Sequence, residues 1–224
     1  MIRANHKKWA RFIYNIYINS LIKKSFSAFY LANPFPRLPE GKGLLITPNH
    51  TSWWDGFFVD YMTRRFHDKL LHVMMLEEQL SRYWFFAKLG AYSIDPGNRE
   101  SVQETMDYTG EVINKNENIA IMFPQGILKS YRRRPIKLKK AGINMIVSGK
   151  EKNFVILPVA LKIQFYTERH PEVIAHFGRV LYPEKVQRDF NVFRDEFIHN
   201  IDMLDEACCN RKFVIEIVHG NNCH

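Results

Sequence analysis

Short apolar runs alternate with amphipathic segments along most of this chain, and that alternation limits the fold more than any other feature. The runs that predict strands lie at residues 44–47, 70–75, 119–123, 154–161, 173–180 and 213–218. The segments with helical spacing lie at residues 54–65, 77–89, 99–116, 138–148 and 189–207. Such alternation is typical of layered α/β proteins. We therefore predict an α/β fold with a mainly parallel sheet flanked by helices.

The N-terminal segment, residues 6–31, predicts a single amphipathic helix. Its polar positions form a narrow stripe of Lys8, Arg11, Asn15, Asn19 and Lys23. Its apolar positions cover most of the rest of the helix, among them Trp9, Ile13, Ile16, Tyr17 and Leu21. A wide apolar face with basic edges is typical of a helix that lies in a membrane interface. A helix packed on the domain's own core has the same periodicity, so the pattern leaves both open.

A proline- and glycine-rich stretch follows this helix, with Pro34, Pro36, Pro39, Gly41 and Gly43. Such residues break regular structure and predict a linker. We therefore divide the chain into an N-terminal amphipathic helix at residues 1–33, for which the membrane interface and the domain's own core both stay open, and an α/β domain at residues 34–224. The uncharged run at residues 12–22 is too short and too polar to span a bilayer or to act as a cleaved signal peptide.

The charge balance favours anionic partners. Lys and Arg number 32 against 23 Asp and Glu, which gives a net charge of +9. Anionic lipid headgroups, phosphorylated substrates and nucleic acid all fit such a chain. The three cysteines, Cys208, Cys209 and Cys223, have no ligand spacing and argue against a disulfide framework or a zinc site. We expect a cytoplasmic protein without a metal or cofactor.

The segment at residues 49–56 contains the clearest candidate for chemistry. It directly follows a predicted strand and opens a predicted helix, which is where α/β proteins place functional side chains. His50 and Asp55 would form a general base and the carboxylate that orients it. Ser52 and Asp55 also resemble a helix capping box, and one carboxylate can serve both purposes. No Ser or Cys is assigned as a nucleophile, so the proton would come from a substrate hydroxyl.

A second candidate segment, residues 123–130, follows another predicted strand. Pro124 and Gly126 predict a tight turn with exposed backbone N–H groups. Basic residues crowd behind that turn: Lys129, Arg132, Arg133, Arg134, Lys137, Lys139 and Lys140. Backbone donors together with cations suit a phosphate or another anion. A solvated basic loop and a nucleic-acid patch are the alternatives.

Two further segments complete the set. Residues 90–99 form a predicted loop that places Arg99 near a helix start. Residues 155–160 form an apolar strand interrupted by Pro158, which predicts a sheet edge, a strand end or a bulge.

These four segments together resemble the glycerolipid acyltransferase superfamily, the enzymes of the lysophosphatidic-acid acyltransferase type, over roughly residues 10–185. Asn49, His50 and Asp55 match the first motif, Asn-His-x4-Asp. The matches to the other three motifs are Gly90, Ile94 and Asp95 in the second, Phe123, Pro124 and Gly126 in the third, and Pro158 in the fourth. The resemblance implies catalysis by His50 and Asp55. It also implies substrate binding by Asn49, Arg99, Phe123, Pro124, Gln125, Gly126, Lys129 and Pro158.

The chain departs from the family pattern where the acceptor's phosphate is thought to bind. Gln125 replaces a glutamate, and Ile127 and Leu128 stand where the third motif has threonine and arginine, so Lys129 would have to supply the cation. Pro96 replaces the arginine of the second motif. The acceptor could therefore be a neutral lipid, a sugar-bearing lipid or an amine instead of a phosphorylated lipid.

The resemblance implies an acyltransferase of phospholipid biosynthesis. A fatty acyl group would move from coenzyme A or acyl carrier protein to a lipid hydroxyl, at the inner face of the membrane. Developing negative charge on the carbonyl oxygen would need donors, either backbone N–H groups or Gln125. A lipid-binding protein of the same fold with weak turnover is one alternative. A nucleic-acid binder is another, but it is not expected, because no binding module is recognised.

Overall fold

A computed structural model describes residues 1–219, so Cys223 lies outside the described residues. Within that range the chain forms one eight-stranded sheet with the order β4-β3-β5-β2-β6-β7-β1-β8. The strands are β1 (Ala28–Leu31), β2 (Gly43–Pro48), β3 (Leu70–Leu76), β4 (Ala91–Ile94), β5 (Asn118–Ile121), β6 (Phe154–Gln164), β7 (Glu172–Phe177) and β8 (Ile215–His219).

Most neighbouring strands run parallel, which confirms the predicted α/β fold. The five strands from β4 to β6 in the sheet order are parallel throughout. β7 is antiparallel to β6 and parallel to β1, and β8 is antiparallel to β1. Because β2 and β5 are parallel neighbours, their carboxyl ends lie at the same edge of the sheet. The loops that follow these two strands hold residues 49–54 and 122–139.

Helices cover both faces of the sheet. They are α1 (Lys8–Ser25), α2 (Asp55–Thr63), α3 (Glu77–Arg82), a 3-10 helix (Trp84–Leu89), α4 (Arg99–Ile113), α5 (Lys140–Val147), α6 (Pro183–Arg188) and α7 (Phe190–Asn210). Successive strand residues point to opposite faces. Leu44 and Ile46 accordingly pack in the core under α1 and α2, whereas Leu45 packs in the core under α4, α5 and α7.

The N-terminal helix is shorter than predicted. It ends at Ser25, and Phe26 already has extended backbone angles (φ −130°, ψ 139°). Residues 28–31 form β1, which pairs in parallel with β7, so the prediction of helix up to residue 31 is wrong. Phe29 and Leu31 are completely buried, and their packing within the sheet outweighs the helical spacing. The division between residues 33 and 34 stays a prediction, although β1 belongs to the same sheet as the strands that follow.

Two other elements differ from the sequence expectation. Residues 91–94, predicted as loop, form the edge strand β4, which pairs with β3. Residues 77–89, predicted as one helix, divide into α3 and the 3-10 helix. That 3-10 helix ends at Gly90, whose φ of 108° is a conformation that favours glycine.

Pro158 lies inside a central strand rather than at a sheet edge, and a bulge accommodates it. On one side it pairs with Thr47 of β2. On the other side the β6–β7 pairing ends at Val159 and Phe177, and the next bridge joins Ile156 to Leu181. The facing chain thus has one additional residue opposite Pro158, so the missing N–H of the proline interrupts no regular ladder.

Candidate active site

The carboxylate of Asp55 organises the turn between β2 and α2. Its Oδ2 accepts from the backbone N–H groups of Thr51 (2.7 Å) and Ser52 (2.9 Å), and its Oδ1 accepts from the Ser52 hydroxyl (2.7 Å). Oδ2 also lies 3.1 Å from Nδ1 of His50. The Asp55 side chain is 1% exposed, whereas that of His50 is 23% exposed. A buried carboxylate thus holds an imidazole that solvent or a substrate can reach.

The structure shows that Asp55 both stabilises the turn and contacts the histidine. The Ser52 hydroxyl accepts from the Trp54 N–H (3.2 Å), which completes contacts like those of a capping box. Ser52 is nevertheless not the N-cap: α2 begins at Asp55, and the N-cap position falls on Trp54. A capping box with Ser52 as N-cap would start the helix at residue 53, and this boundary is wrong because α2 begins two residues later.

The loop after β5 is tied to the histidine by its backbone. The N–H of His50 donates to Oε1 of Gln125 (2.6 Å), and the N–H of Lys129 donates to the carbonyl of His50 (2.9 Å). The ring of Phe123 stacks on the imidazole with 4.0 Å between ring centroids. Two segments that are far apart in sequence therefore form one site at the edge of β2 and β5.

Asn49 is buried behind this site. Its Nδ2 donates to the carbonyl of Leu161 (2.9 Å) and its Oδ1 accepts from the N–H of the same residue (2.6 Å). Because the side chain is 2% exposed and its amide is engaged on both sides, it fixes the end of β2 against β6. This placement suits a residue that positions His50 rather than one that contacts substrate.

The turn at Pro124–Gly126 is held by a second chain segment. Gly126 donates its N–H to the carbonyl of Phe123 (3.0 Å) and has a φ of 71°. The carbonyl of Pro124 accepts from the N–H of Lys139 (2.7 Å), and the Lys139 side chain lies across Gly126. From the sequence, Lys139 is one member of a basic cluster, because its approach to Gly126 depends on the path of the whole loop.

Within residues 1–219, no hydrogen bond, ion pair or ring contact joins Arg99 or Pro158 to His50. Arg99 is the exposed first residue of α4 and follows the edge strand β4. β4 is three strands from β2, which corresponds to about 14 Å at the usual strand spacing. Pro158 is buried in β6, where it pairs with Thr47 at the end of β2.

The N-terminal helix packs one face on the domain and exposes another. Its buried residues are Ala10, Tyr14, Ile18 and Ile22, spaced four apart. Its exposed face carries large apolar side chains between 51% and 67% exposed, namely Trp9, Phe12, Ile13, Ile16 and Tyr17. Aromatic contacts connect α1 to the turn after β2. Phe57 of α2 stacks on Tyr14 of α1 and also contacts Trp53, which lies in that turn.

The predicted solvent-facing polar stripe of α1 is wrong in part. Arg11 turns toward the domain, where its Nη1 pairs with Asp60 at 2.7 Å and its Nη2 donates to the carbonyl of Leu89. Asn15 is also partly buried. The buried carboxylate of Asp60, on α2, is the partner that holds Arg11 toward the domain.

No helix within residues 1–219 is long and apolar enough to cross a bilayer. No group of three or more His, Cys, Asp or Glu side chains there could hold a metal ion.

Comparisons with known proteins identify the family. The chain is similar in structure to the 1-acyl-sn-glycerophosphate acyltransferase PlsC of Thermotoga maritima. The TM-score is 0.63 and the sequence identity 13%, over 89% of this chain and 81% of that one. At this identity the likeness shows the fold. No match was found among curated proteins. The family model described as Acyltransferase matches residues 35–162, which is more than half of the chain, and therefore the chain belongs to the acyltransferase family.

Proposed function

We propose that this acyltransferase moves a fatty acyl group from a thioester to the hydroxyl of a lysophospholipid of the lysophosphatidic-acid type, with His50 as general base. One observation carries the proposal: Nδ1 of His50 faces the buried carboxylate of Asp55 at 3.1 Å, while the imidazole remains accessible. The family supports acyl transfer. The PlsC structure, described as a lysophosphatidic-acid acyltransferase, supports the type of acceptor.

The tautomer of His50 follows from its partner. An ionised carboxylate can only accept, so Nδ1 carries the proton and Nε2 has the free lone pair. Within residues 1–219, Nε2 has no hydrogen-bond partner. Nε2 would take the proton of the acceptor hydroxyl, and Asp55 would stabilise the imidazolium that results.

The remaining steps need no covalent acyl-enzyme. The acceptor oxygen attacks the thioester carbonyl carbon, and the C–S bond breaks as the tetrahedral intermediate collapses. The thiolate that leaves takes the proton from His50, so the enzyme returns to its starting state. Backbone N–H groups at the loop after β5 would stabilise the oxyanion. Gln125 serves to position His50, because its Oε1 is already engaged by the His50 N–H.

The exposed face of α1 would bind the membrane surface. Aromatic and aliphatic side chains on one face of a helix insert into the interface, and nearby lysines favour anionic lipid. Lys8, Lys23 and Lys24 of α1 are all exposed. Trp53, which is 60% exposed and precedes α2, extends this surface to the turn that holds His50. The reacting hydroxyl of a membrane-bound lysolipid would thereby reach the imidazole.

The thioester carrier, coenzyme A or acyl carrier protein, is anionic in both cases. The exposed basic side chains at residues 129–140 would attract either one. We expect no nucleic-acid partner, because neither the exposed apolar face of α1 nor the His50 site would contribute to binding a nucleic acid.

Transfer from a radiolabelled thioester to a panel of acceptors tests this proposal. The panel contains lysophosphatidic acid, other lysophospholipids, monoacylglycerol and a glycolipid, and both carriers are supplied in parallel. We expect product with lysophosphatidic acid and none when the thioester is omitted. Transfer only to acceptors without a phosphate would show that the acceptor is not a lysophospholipid of the lysophosphatidic-acid type. Tight lipid binding without thioester consumption, for every acceptor, would favour a lipid-binding protein of weak turnover.

A further inference from the structure

We propose that Asp205 of α7 is a positioning residue, which anchors the loop after β5 and thereby holds Gln125 against His50. This inference rests on the proposed function and adds to it a residue from outside the His50 site. Asp205 belongs to none of the four motif segments. It lies on α7, which packs on the face of the sheet opposite α1 and α2. Any effect of Asp205 on the reaction must therefore pass through the loop.

Three side chains converge on the Asp205 carboxylate. Its Oδ1 accepts from the Tyr131 hydroxyl (2.9 Å) and lies 2.8 Å from Nζ of Lys162 in β6. Its Oδ2 lies 3.5 Å from Nη2 of Arg134. Tyr131 and Arg134 belong to the loop after β5, whereas Lys162 belongs to the sheet. One carboxylate thus joins the loop both to α7 and to β6.

Tyr131 is fixed in the orientation that donates to this carboxylate. Its ring packs against the core under α4, α5 and α7, and Nζ of Lys162 lies 5.1 Å from the ring centroid. Burial and the nearby Asp205 carboxylate raise the pKa of the Tyr131 hydroxyl, so it keeps its proton and donates it. Apolar packing and the hydrogen bond therefore hold the same side chain.

The middle of the loop has no other polar anchor. Backbone hydrogen bonds hold the two ends, because Lys129 donates to the carbonyl of His50 and Lys139 donates to the carbonyl of Pro124. Between these ends, every side-chain hydrogen bond or ion pair that leaves residues 130–138 ends on Asp205, among the residues that the structure describes. Loss of this carboxylate would leave the segment held by apolar packing alone.

The charge of the loop makes such an anchor necessary. Seven cations lie at residues 129–140, and the sequence has no acidic residue between residues 118 and 150. Like charges that lie close together repel one another and favour an open loop. Within residues 1–219, Asp205 is the only carboxylate that pairs with one of these seven cations, through Arg134. The counter-charge of the loop thus comes from a distant helix.

Gln125 connects the anchored loop to the active site. Its Oε1 accepts from the His50 N–H at 2.6 Å, and its side chain makes no other hydrogen bond in the part of the chain that the structure describes. Its position therefore depends on the path of the loop. If Tyr131 and Arg134 are released from α7, the loop can move outward and carry Gln125 away from His50.

Amide hydrogen exchange followed by NMR reads this contact directly. We expect the His50 amide to exchange at least about tenfold faster in Asp205→Asn than in the wild-type chain, the loss of one hydrogen bond to a charged group. The amide of Leu45, in the middle of the same strand, should not change. Equal acceleration at Leu45, which indicates a general loss of stability, or no acceleration at His50 overturns the proposal.

Asp202→Asn is the matched control. Asp202 is exposed on the same helix and makes no hydrogen bond or ion pair within residues 1–219, so its variant removes the same charge without touching the loop. Exchange of the His50 amide in Asp202→Asn should equal that of the wild-type chain. Acceleration as large as in Asp205→Asn would make the effect one of helix charge and contradict the anchor.

A second pair of variants leaves the contact between Asp205 and Lys162 in place. Tyr131→Phe removes only the hydroxyl that joins the loop to α7. Tyr166→Phe removes a hydroxyl that donates to the carbonyl of Cys208 on the same helix, at 2.9 Å, and does not involve the loop. We expect faster exchange of the His50 amide in Tyr131→Phe alone. Equal exchange in the two variants would overturn the proposal.

Turnover then shows whether Asp205 acts through Gln125. We expect Asp205→Asn to lower kcat about tenfold or more, but to lower it no further in a Gln125→Ala background. Weaker attraction of the thioester carrier cannot cause this loss, because every cation of the loop remains. An unchanged kcat in Asp205→Asn, or additive losses in the double variant, contradicts the positioning role. A wild-type chain that transfers no acyl group but shows the expected hydrogen exchange contradicts the proposed function alone.

Discussion

The ring of Phe123 lies on the imidazole of His50 with 4.0 Å between ring centroids and 24° between the ring planes. Phe123 follows β5 and His50 follows β2, so the stack joins the two loops at one edge of the sheet. Asp55 fixes one edge of the imidazole and Phe123 covers one of its faces. The orientation of the proposed general base is thus set by side chains from two different segments.

Asp55→Asn should reduce acyl transfer far more than it reduces stability. The amide oxygen can still accept from Thr51 and Ser52, so we expect a stability loss of about 1–3 kcal/mol. The neutral amide cannot stabilise the imidazolium that forms when His50 takes a proton, and the corresponding change in a catalytic triad lowers the rate about 10⁴-fold. Rates and urea denaturation are measured together.

Ser52→Ala is the matched control for that variant. It removes the hydroxyl that contacts Asp55 and Trp54 but leaves the His50–Asp55 contact in place. We expect a stability loss of about 1 kcal/mol with nearly unchanged transfer. If Asp55→Asn behaves in the same way as Ser52→Ala, Asp55 serves the turn only.

Gln125→Glu should keep most of the activity, and Gln125→Ala should not. Glutamate still offers an oxygen to the His50 N–H, whereas alanine leaves that N–H without its acceptor. Displacement of the histidine should lower kcat about a hundredfold. A loss of about 10²–10³-fold in Gln125→Glu would instead make the Gln125 amide an oxyanion donor and contradict its positioning role.

Opposite faces of α1 should respond differently to mutation. Ile16→Glu lies on the exposed face, so it should weaken binding to anionic liposomes while the melting temperature stays the same. Ile18→Ala lies on the buried face, and a cavity there should cost about 2–5 kcal/mol of stability. Liposome co-sedimentation at low and high salt, together with thermal unfolding, separates the two. Wild-type protein that does not sediment with strongly anionic liposomes at low salt would contradict the membrane proposal.

The stability of the fold should decrease in mild acid because of His6. Burial, with smaller contributions from His72 and Arg11, lowers the pKa of His6 to about 4. Its Nε2 lies 3.2 Å from Nε2 of His72, whose pKa burial also lowers. An unfolded histidine titrates near 6.5, so between about pH 6.5 and pH 4 the unfolded chain binds a proton that folded His6 does not. The stabilisation is therefore complete above that window and is lost as the pH falls through it.

His6→Gln isolates this contribution. The free energy of unfolding from urea titrations at about pH 7 and about pH 5 should fall less in the variant than in the wild-type chain. An identical pH dependence in both proteins would show that His6 does not contribute. The carboxyl groups titrate in both proteins, so their contribution cancels when the pH dependence of the variant is compared with that of the wild-type chain.

Local patterns along the sequence predicted the central part of the fold well. The strands β2, β3, β5 and β6 are short apolar runs bounded by turn residues, and the mainly parallel sheet follows from the helices between them. β1 and β4 were missed because residues 28–31 continue the helical spacing of the N-terminal segment and residues 91–94 lie in a stretch that contains Gly90 and Pro96. Their strand conformation depends on pairing with β7 and β3, which are distant in sequence.

The same difference between local and long-range contacts applies to the active site. His50 and Asp55 are five residues apart at a strand-to-helix turn, so their proximity is local. The sequence predicted it. The Gln125 contact with the His50 N–H and the Lys139 contact with Gly126 depend on how separate loops meet. The inward turn of Arg11 depends on Asp60 of α2, so helical periodicity alone could not identify it.

Single-turnover transfer by His50→Ala measures what the imidazole contributes to acyl transfer. The variant and the wild-type chain are mixed with a labelled acyl thioester and lysophosphatidic acid, after thermal unfolding has shown that both are folded. General-base catalysis contributes about 10²–10⁴-fold to a rate, so we expect a loss of that size in His50→Ala. A variant that is folded and transfers the acyl group at a rate close to that of the wild-type chain would contradict it.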